Sequence, residues 1–286
     1  MEFKRTSQIG EVWRRLKKNK LAVFGLCLLA LLILVALFSG LIFDYETEVI
    51  KQDVPNSLQP PSAEHWFGTD HLGRDIFARV VYGTRYSLAI GFLTASLALI
   101  IGGAIGAIAG YFGGVLDTVL MRIIDILMAI PSIVLAIAIV TALGTGFQNL
   151  VIAMTISSIP TFTRLLRSSV LSIKNSEYVE ASRCLGTSTR RIILRQILPN
   201  CIGPIIVQGT FAVASAILSS SGLSFLGIGV EPPAPEWGTI LSQGKDYLES
   251  APYVVIFPGC AIALTVLALN LAGDGFRDAL DPRLKK

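Results

Sequence analysis

Five stretches of this chain, residues 21–43, 86–116, 126–163, 196–230 and 251–273, contain no charged side chain. Each reaches or exceeds the roughly 20 residues that a helix needs to cross a bilayer. Composition agrees, with 52% hydrophobic and 15% charged residues, where soluble domains carry about 25% charged. An ordinary soluble enzyme is excluded, and the chain reads as a polytopic membrane protein. The run 126–163 would be about 57 Å long as one helix, nearly twice the hydrocarbon thickness, so it must turn back. The turn is written at Gly144-Thr145-Gly146, followed by Gln148 and Asn149. The expectation is an all-α protein with six spans at about 21–43, 86–110, 119–143, 147–164, 204–228 and 251–272. An even number puts both termini on one side.

Positive loops are retained in the cytoplasm. With the N-terminus inside, only Lys51, Arg74, Arg79, Arg85 and Lys245 of the 24 lysines and arginines fall outside. The sequence therefore divides into a cytoplasmic segment 1–20, a first span 21–43, an extracytoplasmic loop 44–85, a bundle 86–275 with a structured inside loop 175–199, and a cytoplasmic tail 276–286. Ile9, Val12, Trp13 and Leu16 recur at helical spacing among Arg14, Arg15, Lys17 and Lys18, the pattern of a helix lying in the membrane surface. The first span has no small-residue cleavage site and is longer than a signal-peptide core, so it is expected to be retained. Cys27, Cys184, Cys201 and Cys260 read as free thiols.

Within the second span Gly102, Gly106, Gly110 and Gly114 recur every fourth residue, with Ala95 and Ala107 adding small surface. Such spacing lets helix backbones approach in lipid and predicts a packing face. A phosphate-binding glycine loop would need Lys-Ser or Lys-Thr after a strand, and Gly244-Lys245-Asp246 does not supply it. This chain is therefore expected to bind no ATP, cofactor, metal or nucleic acid of its own. His65 and His71, beside Glu64, Asp70 and Asp75, have no metal-ligand spacing; the stretch His65 to Asp75 reads as a turn-rich lip. A charge inside the bilayer costs at least about 2.5 kcal/mol. The exceptions, Arg122 and Asp125 at the start of the third span, share a helix face and are expected to pair. No midplane carboxylate is present for an ion relay. Pro131, Pro160, Pro204 and Pro258 allow kinks in four spans.

The inside loop carries the most information. Asn175-Ser176 can cap a helix starting at Glu177, with Glu177 and Glu180 in its first turn. Gly186 then provides a stop at positive φ, and Thr187-Ser188-Thr189 lead into a second short helix expected to end at Pro199. Arg183, Arg190, Arg191 and Arg195 alternate there with Ala181, Leu185, Ile192 and Ile193. A basic loop resting on anionic lipid would explain the arginines but neither the carboxylates nor the glycine break. Two amphipathic helices pressing into a cytoplasmic partner explain all three.

Glu180-Ala181-Ser182, Gly186 and Ile197-Leu198-Pro199 resemble the EAA loop of permease subunits in bacterial ATP-binding cassette importers. Three further stretches narrow the resemblance. They are Phe67-Gly68-Thr69-Asp70 with Gly73-Arg74-Asp75 and Tyr82-Gly83; the run from Ser221 to Gly227 with Pro232-Pro233 and Pro235-Glu236-Trp237-Gly238; and Gly273-Asp274-Gly275 with the segment from Asp278 to Pro282. Together they are similar to the C-type permease of dipeptide, oligopeptide and nickel importers, over nearly the whole chain from Trp13. Ser182 departs from the second alanine of the pattern and Gln196 from the isoleucine before Leu-Pro.

The resemblance implies a type I importer permease in a bacterial cytoplasmic membrane. It would pair with a homologous second permease, with two ATPase subunits carrying ATP and Mg below and an extracytoplasmic substrate-binding protein above. Glu177, Glu180, Ala181, Arg183, Gly186, Arg190, Arg191 and Pro199 would form the ATPase-coupling loop. Peptides are the expected cargo, with glutathione or nickel complexes as alternatives. A channel would not need the two-helix loop, and a membrane-embedded enzyme would need convergent catalytic groups. Outside, carboxylates outnumber basic groups, so a docking face for the binding protein is expected there, with Asp70, Arg74, Asp75, Glu236 and Trp237 as its candidates.

Overall fold

The computed structural model describes residues 8–280. Residues 1–7 of the N-terminal segment and 281–286 of the tail, including Asp281 and Pro282 of the last motif, lie outside the described part. The described residues form eleven α-helices, and none is in a strand. The amphipathic pattern near the N-terminus is helix α1 (Gln8–Leu16), packed on the C-terminal helix with Leu16 buried and Trp13 exposed. Asn19 then caps α2 (Lys20–Ile42), its side-chain oxygen accepting from the backbone N–H of Leu21 and Ala22. Only Ala22, Gly25 and Ser39 of α2 are buried, as suits a helix with most of its surface in lipid. It crosses α11 (Tyr253–Leu280) at close range; a Cβ on Gly25 would sit 2.9 Å from the Ala268 carbonyl oxygen.

Helix α3 (Ile76–Phe112) is the spine of the molecule. Asp75 caps it through Ala78 N–H at 2.9 Å, and its 37 residues make it about 55 Å long. It starts ten residues before the expected span 86–110. Arg79 and Arg85 interrupt the uncharged run but not the helix, because Arg is a good helix former and residues 76–85 pack under the outer loops.

The expected third span, 119–143, is broken. Helix α4 (Gly114–Met128) and α5 (Ser132–Leu143) meet at 85°. Pro131 sits at the N-cap of α5 with ψ 133°, outside the helical region, and its ring restricts the residue before it. The two helices are about 22 and 18 Å long, so neither alone crosses the hydrocarbon core. Among the described residues, five helices are long and apolar enough to cross a membrane, or six if the bent pair is one span. The Arg122–Asp125 pair does not form. Asp125 instead accepts from Arg164 at 2.7 Å, and Asp117 takes Arg167 in a two-point pair at 2.6 and 2.7 Å. Both arginines lie on α6 (Phe147–Ile173), so a carboxylate on α4 finds a closer cation on α6 than on its own helix.

The turn before α6 falls where expected, with Gly144 and Gly146 at φ 91° and 120°. Pro160 and Pro258 are carried inside continuous helices α6 and α11. The inside loop holds α7 (Glu177–Cys184) and α8 (Thr189–Ile192). Pro199 does not end the second of these. The chain continues through a π segment (Ile193–Ile197) and a 3-10 turn (Leu198–Cys201) into α9 (Ile202–Phe225), since proline in the first turn of a helix removes no bond that would otherwise form. Helix α10 (Trp237–Gly244) covers the outer end, and α11 runs through Gly273 and Gly275 to Leu280.

Three of the four spaced glycines make the α3–α6 contact. A Cβ on Gly102 would lie 2.6 Å from the Ile159 carbonyl oxygen and one on Gly110 3.0 Å from that of Arg167; on Gly106 it would overlap the carbonyl of Thr163. Gly114 is not part of this face: it has φ 59° at the α3–α4 corner and open space around it. Gly106→Ala is expected to lower stability by about 1–3 kcal/mol, because backbone atoms cannot swing aside. Gly103→Ala meets only ordinary contacts near 3.6 Å and should be neutral. Melting curves of the two detergent-solubilised variants, with equal shifts, would remove the close-approach argument.

Candidate coupling loop and polar groove

The inside loop is a rigid knob rather than a tether. Val179 of α7, Ile192 of α8, Ile197 and Cys201 are buried in one cluster with Ala107 of α3 and Leu166 and Val170 of α6. Ser176 sits at the N-cap of α7, but its hydroxyl donates to the Ile173 carbonyl at 2.8 Å and not to the helix. At the other end Gly186 has φ 73°, Gly186 N–H donates to Arg183 O and Thr187 N–H to Ser182 O. This is a Schellman C-cap, which reverses the chain while satisfying two terminal carbonyls.

The two departures from the family pattern touch each other. Gln196 Nε2 donates to Ser182 Oγ at 2.8 Å, and Ser182 Oγ donates to the Tyr178 carbonyl at 2.9 Å. A polar bond thus joins α7 to the π segment, a contact that neither substitution discloses alone. Glu177, Glu180, Ala181, Arg183, Gly186, Arg190, Arg191 and Pro199 are all exposed, the first five on or at the end of α7 and the two arginines on α8. Arg183 is partly engaged, its guanidinium 5.3 Å from the centre of the Tyr111 ring. Leu185, one of the apolar positions expected to face a partner, is 85% exposed, and Tyr178, which the sequence does not single out, is 46% exposed.

On the outer side the expected docking residues are mostly interior. Asp70 and Arg74 are each 2% exposed, and Glu236 and Trp237 fully buried. Arg74 Nε donates to Asp70 at 2.7 Å, Arg79 lies 3.7 Å from the same carboxylate, and Gln243 accepts from both arginines. Glu236 caps α10 by accepting from Thr239 N–H at 2.9 Å, and the Trp237 ring N–H donates to the Val80 carbonyl at 2.9 Å. Asp75, partly exposed, caps α3 and pairs with His65 at 2.7 Å. Asp70, Arg74, Glu236 and Trp237 therefore hold the outer loops onto α3 and are not available as a contact surface, whereas Asp75 is partly open. Charged side chains are usually exposed, but an ion cluster with its charges paired can be interior. Asp44, Glu46, Glu48, Asp53, Glu64, Glu231, Asp246 and Glu249 do remain exposed. The two histidines go separate ways: His71 stacks on Tyr247, and burial pushes its pKa below the ordinary value.

A groove of about 200 Å³ opens between α5, α6 and α9. Its polar lining includes Ser132 of α5, Ser157 and Thr161 of α6, and Gln208, Ser215 and Ser219 of α9, and no charged side chain lines it. The signal was available in the sequence: 157 and 161, and 208, 215 and 219, lie at one-turn, two-turn and three-turn spacings inside uncharged runs. A stripe of hydroxyls and one amide on apolar helices offers hydrogen bonds without a fixed charge.

Residues 102–286 match the model of binding-protein-dependent transport system inner membrane components, and residues 7–61 match that of the N-terminal transmembrane domain of oligopeptide transport permease C. The chain is 48% identical to the dipeptide transport system permease protein DppC of Alkalihalophilus pseudofirmus, over 99% of this chain and 93% of that protein. It is 46% identical to the glutathione transport system permease protein GsiD of Escherichia coli, over 96% and 90% of the two chains. Among solved structures, a chain of the MetNI methionine ABC transporter in inward-facing conformations superposes with a TM-score of 0.59 at 21% identity, covering 71% of this chain and 97% of that one. That last likeness concerns the fold.

Proposed function

This chain belongs to the family of binding-protein-dependent transport system inner membrane components, multi-pass permeases of the bacterial cytoplasmic membrane, and we propose that it carries dipeptides or short oligopeptides as half of an ATP-driven importer. A homologous second permease would complete the route, two ATPase subunits would dock on the inside loop, and a substrate-binding protein would dock on the acidic outer face. The observation that carries this reading is the knob from Glu177 to Gly186. It is anchored by Val179 in the bundle, and it presents Tyr178, Leu185 and two carboxylates to the cytoplasm. Nucleotide chemistry and its Mg stay with the ATPases; this chain supplies a pathway and a lever.

The hydroxyl-lined groove between α5, α6 and α9 would be this chain's share of the route. A peptide there exchanges water for serine and threonine hydroxyls of similar strength, and no buried counter-charge traps it. The paired permeases without their binding protein are therefore expected to bind dipeptides more weakly than micromolar by calorimetry. The function itself is tested by ATP-dependent uptake of labelled dipeptides and glutathione into proteoliposomes holding the full assembly. Peptide uptake that persists without the ATPase subunits would overturn the importer reading. Uptake of neither ligand, with the assembly intact, would overturn the peptide cargo.

A further inference from the structure

Beside the knob, α8 and the π segment that follows it present a second surface of different chemistry. Ser188, Arg190, Arg191, Leu194 and Arg195 line a pocket of about 430 Å³. None of the three arginines is paired with a carboxylate among the described residues. An apolar groove of about 470 Å³, lined by Phe112, Thr189, Arg190, Ile193 and Leu194, adjoins it and shares Arg190 and Leu194. A cationic compartment joined to an apolar one is shaped for an amphiphile with an anionic head.

Its depth fits the same ligand. Aromatic pairs mark both ends of the membrane part of α3, Tyr82 with Tyr86 outside and Tyr111 with Phe112 inside. Tyr86 and Tyr111 are about 38 Å apart along the helix axis, against about 30 Å for the hydrocarbon core and 40–45 Å with the headgroups. Phe112 therefore lies at the level of the cytoplasmic headgroups. We propose that the paired grooves of α8 and the end of α3 hold an anionic phospholipid of the cytoplasmic leaflet, its phosphate among Arg190, Arg191 and Arg195 and its upper acyl chain against Phe112, Ile193 and Leu194. Juxtamembrane arginine clusters attract anionic headgroups, and the charge sign here matches them. The knob at Glu177 to Gly186 carries the carboxylates and remains the face for a protein partner. The lipid thus props the back of the hairpin whose front meets the ATPase. The proposal goes beyond the cargo reading and does not depend on which peptide is moved.

The test uses the assembled transporter in nanodiscs, with phosphatidylglycerol competing against phosphatidylcholine and native mass spectrometry reading the lipid retained. Wild type is expected to retain phosphatidylglycerol at least fivefold over phosphatidylcholine. The triple variant Arg190→Gln, Arg191→Gln, Arg195→Gln is expected to lose that preference. Replacing the same three arginines by lysine should keep it, and Leu194→Ala should weaken retention with every charge in place. Equal retention by wild type and the glutamine variant would overturn the proposal. So would loss of the ATPase subunits with lipid retained, which would assign the arginines to the protein interface. Displacement of the lipid by inorganic phosphate alone would reduce the feature to a free-anion site and overturn it as well.

Discussion

Asp70→Asn is expected to destabilise the outer half of the molecule by about 3–5 kcal/mol, the range for removing one partner of a buried ion cluster. Among the described residues the carboxylate is the one anion paired with Arg74 at 2.7 Å and Arg79 at 3.7 Å, and all three side chains are nearly inaccessible. Asparagine keeps the shape and one acceptor but leaves two buried guanidiniums with no counter-charge. The backbone suffers too, because Asp70 Oδ1 accepts from Leu72 and Arg74 N–H and so shapes the turn before α3. Arg79→Met should do less harm, since it leaves the Asp70–Arg74 pair balanced and forfeits only longer bonds, 3.4 Å to the Val49 carbonyl and 3.3 Å to Gln243. Thermal unfolding of the two solubilised variants checks the order. An Asp70→Asn protein as stable as wild type, or less affected than Arg79→Met, would mean that the cluster is hydrated in the membrane and is not the clamp described here.

How much of this was legible depended on whether a signal was local. The reversal at Gly144 and Gly146, the positive φ at Gly186 and the glycine face at 102, 106 and 110 all follow from what a missing Cβ permits, and the sequence displays that directly. The break between α4 and α5 was not legible, because the chain carries four in-span prolines and two of them, Pro160 and Pro258, lie in continuous helices. What distinguishes Pro131 is tertiary: Arg164 and Arg167 tie α4 by Asp125 and Asp117 to the inner end of α6, while α5 is purely apolar and departs at 85°. Asp70 and Arg74 are four residues apart and could be read as a pair. Their burial depends on Gln243, 169 positions along the chain, which no spacing rule supplies. The polar stripe of the groove lies between these cases, since its periodicity is local and only the facing of three helices makes it a site.

Gly186→Val is expected to abolish coupled transport while leaving the bundle folded. At φ 73° a valine pays a left-handed penalty of roughly 1–2 kcal/mol, and its β-branch aggravates it. A Cβ there meets nothing within 4 Å in this chain, so the remaining harm must come from outside it: the side chain would stand on the surface offered to the ATPase, next to Leu185. Two further variants separate these effects. Asparagine tolerates the left-handed region, so Gly186→Asn removes most of the strain but keeps a side chain at the contact. Glu180→Ala leaves the C-cap intact and removes one exposed carboxylate from the same face. If the loop couples the permease to the ATPase, Gly186→Asn will impair uptake nearly as much as valine, and Glu180→Ala will impair it less. If strain alone matters, asparagine will restore function. Uptake and substrate-stimulated ATP hydrolysis in proteoliposomes, after melting curves show that each variant is folded, distinguish the two. Wild-type values for both in Gly186→Val would show that this hairpin is not where hydrolysis is transmitted to the membrane.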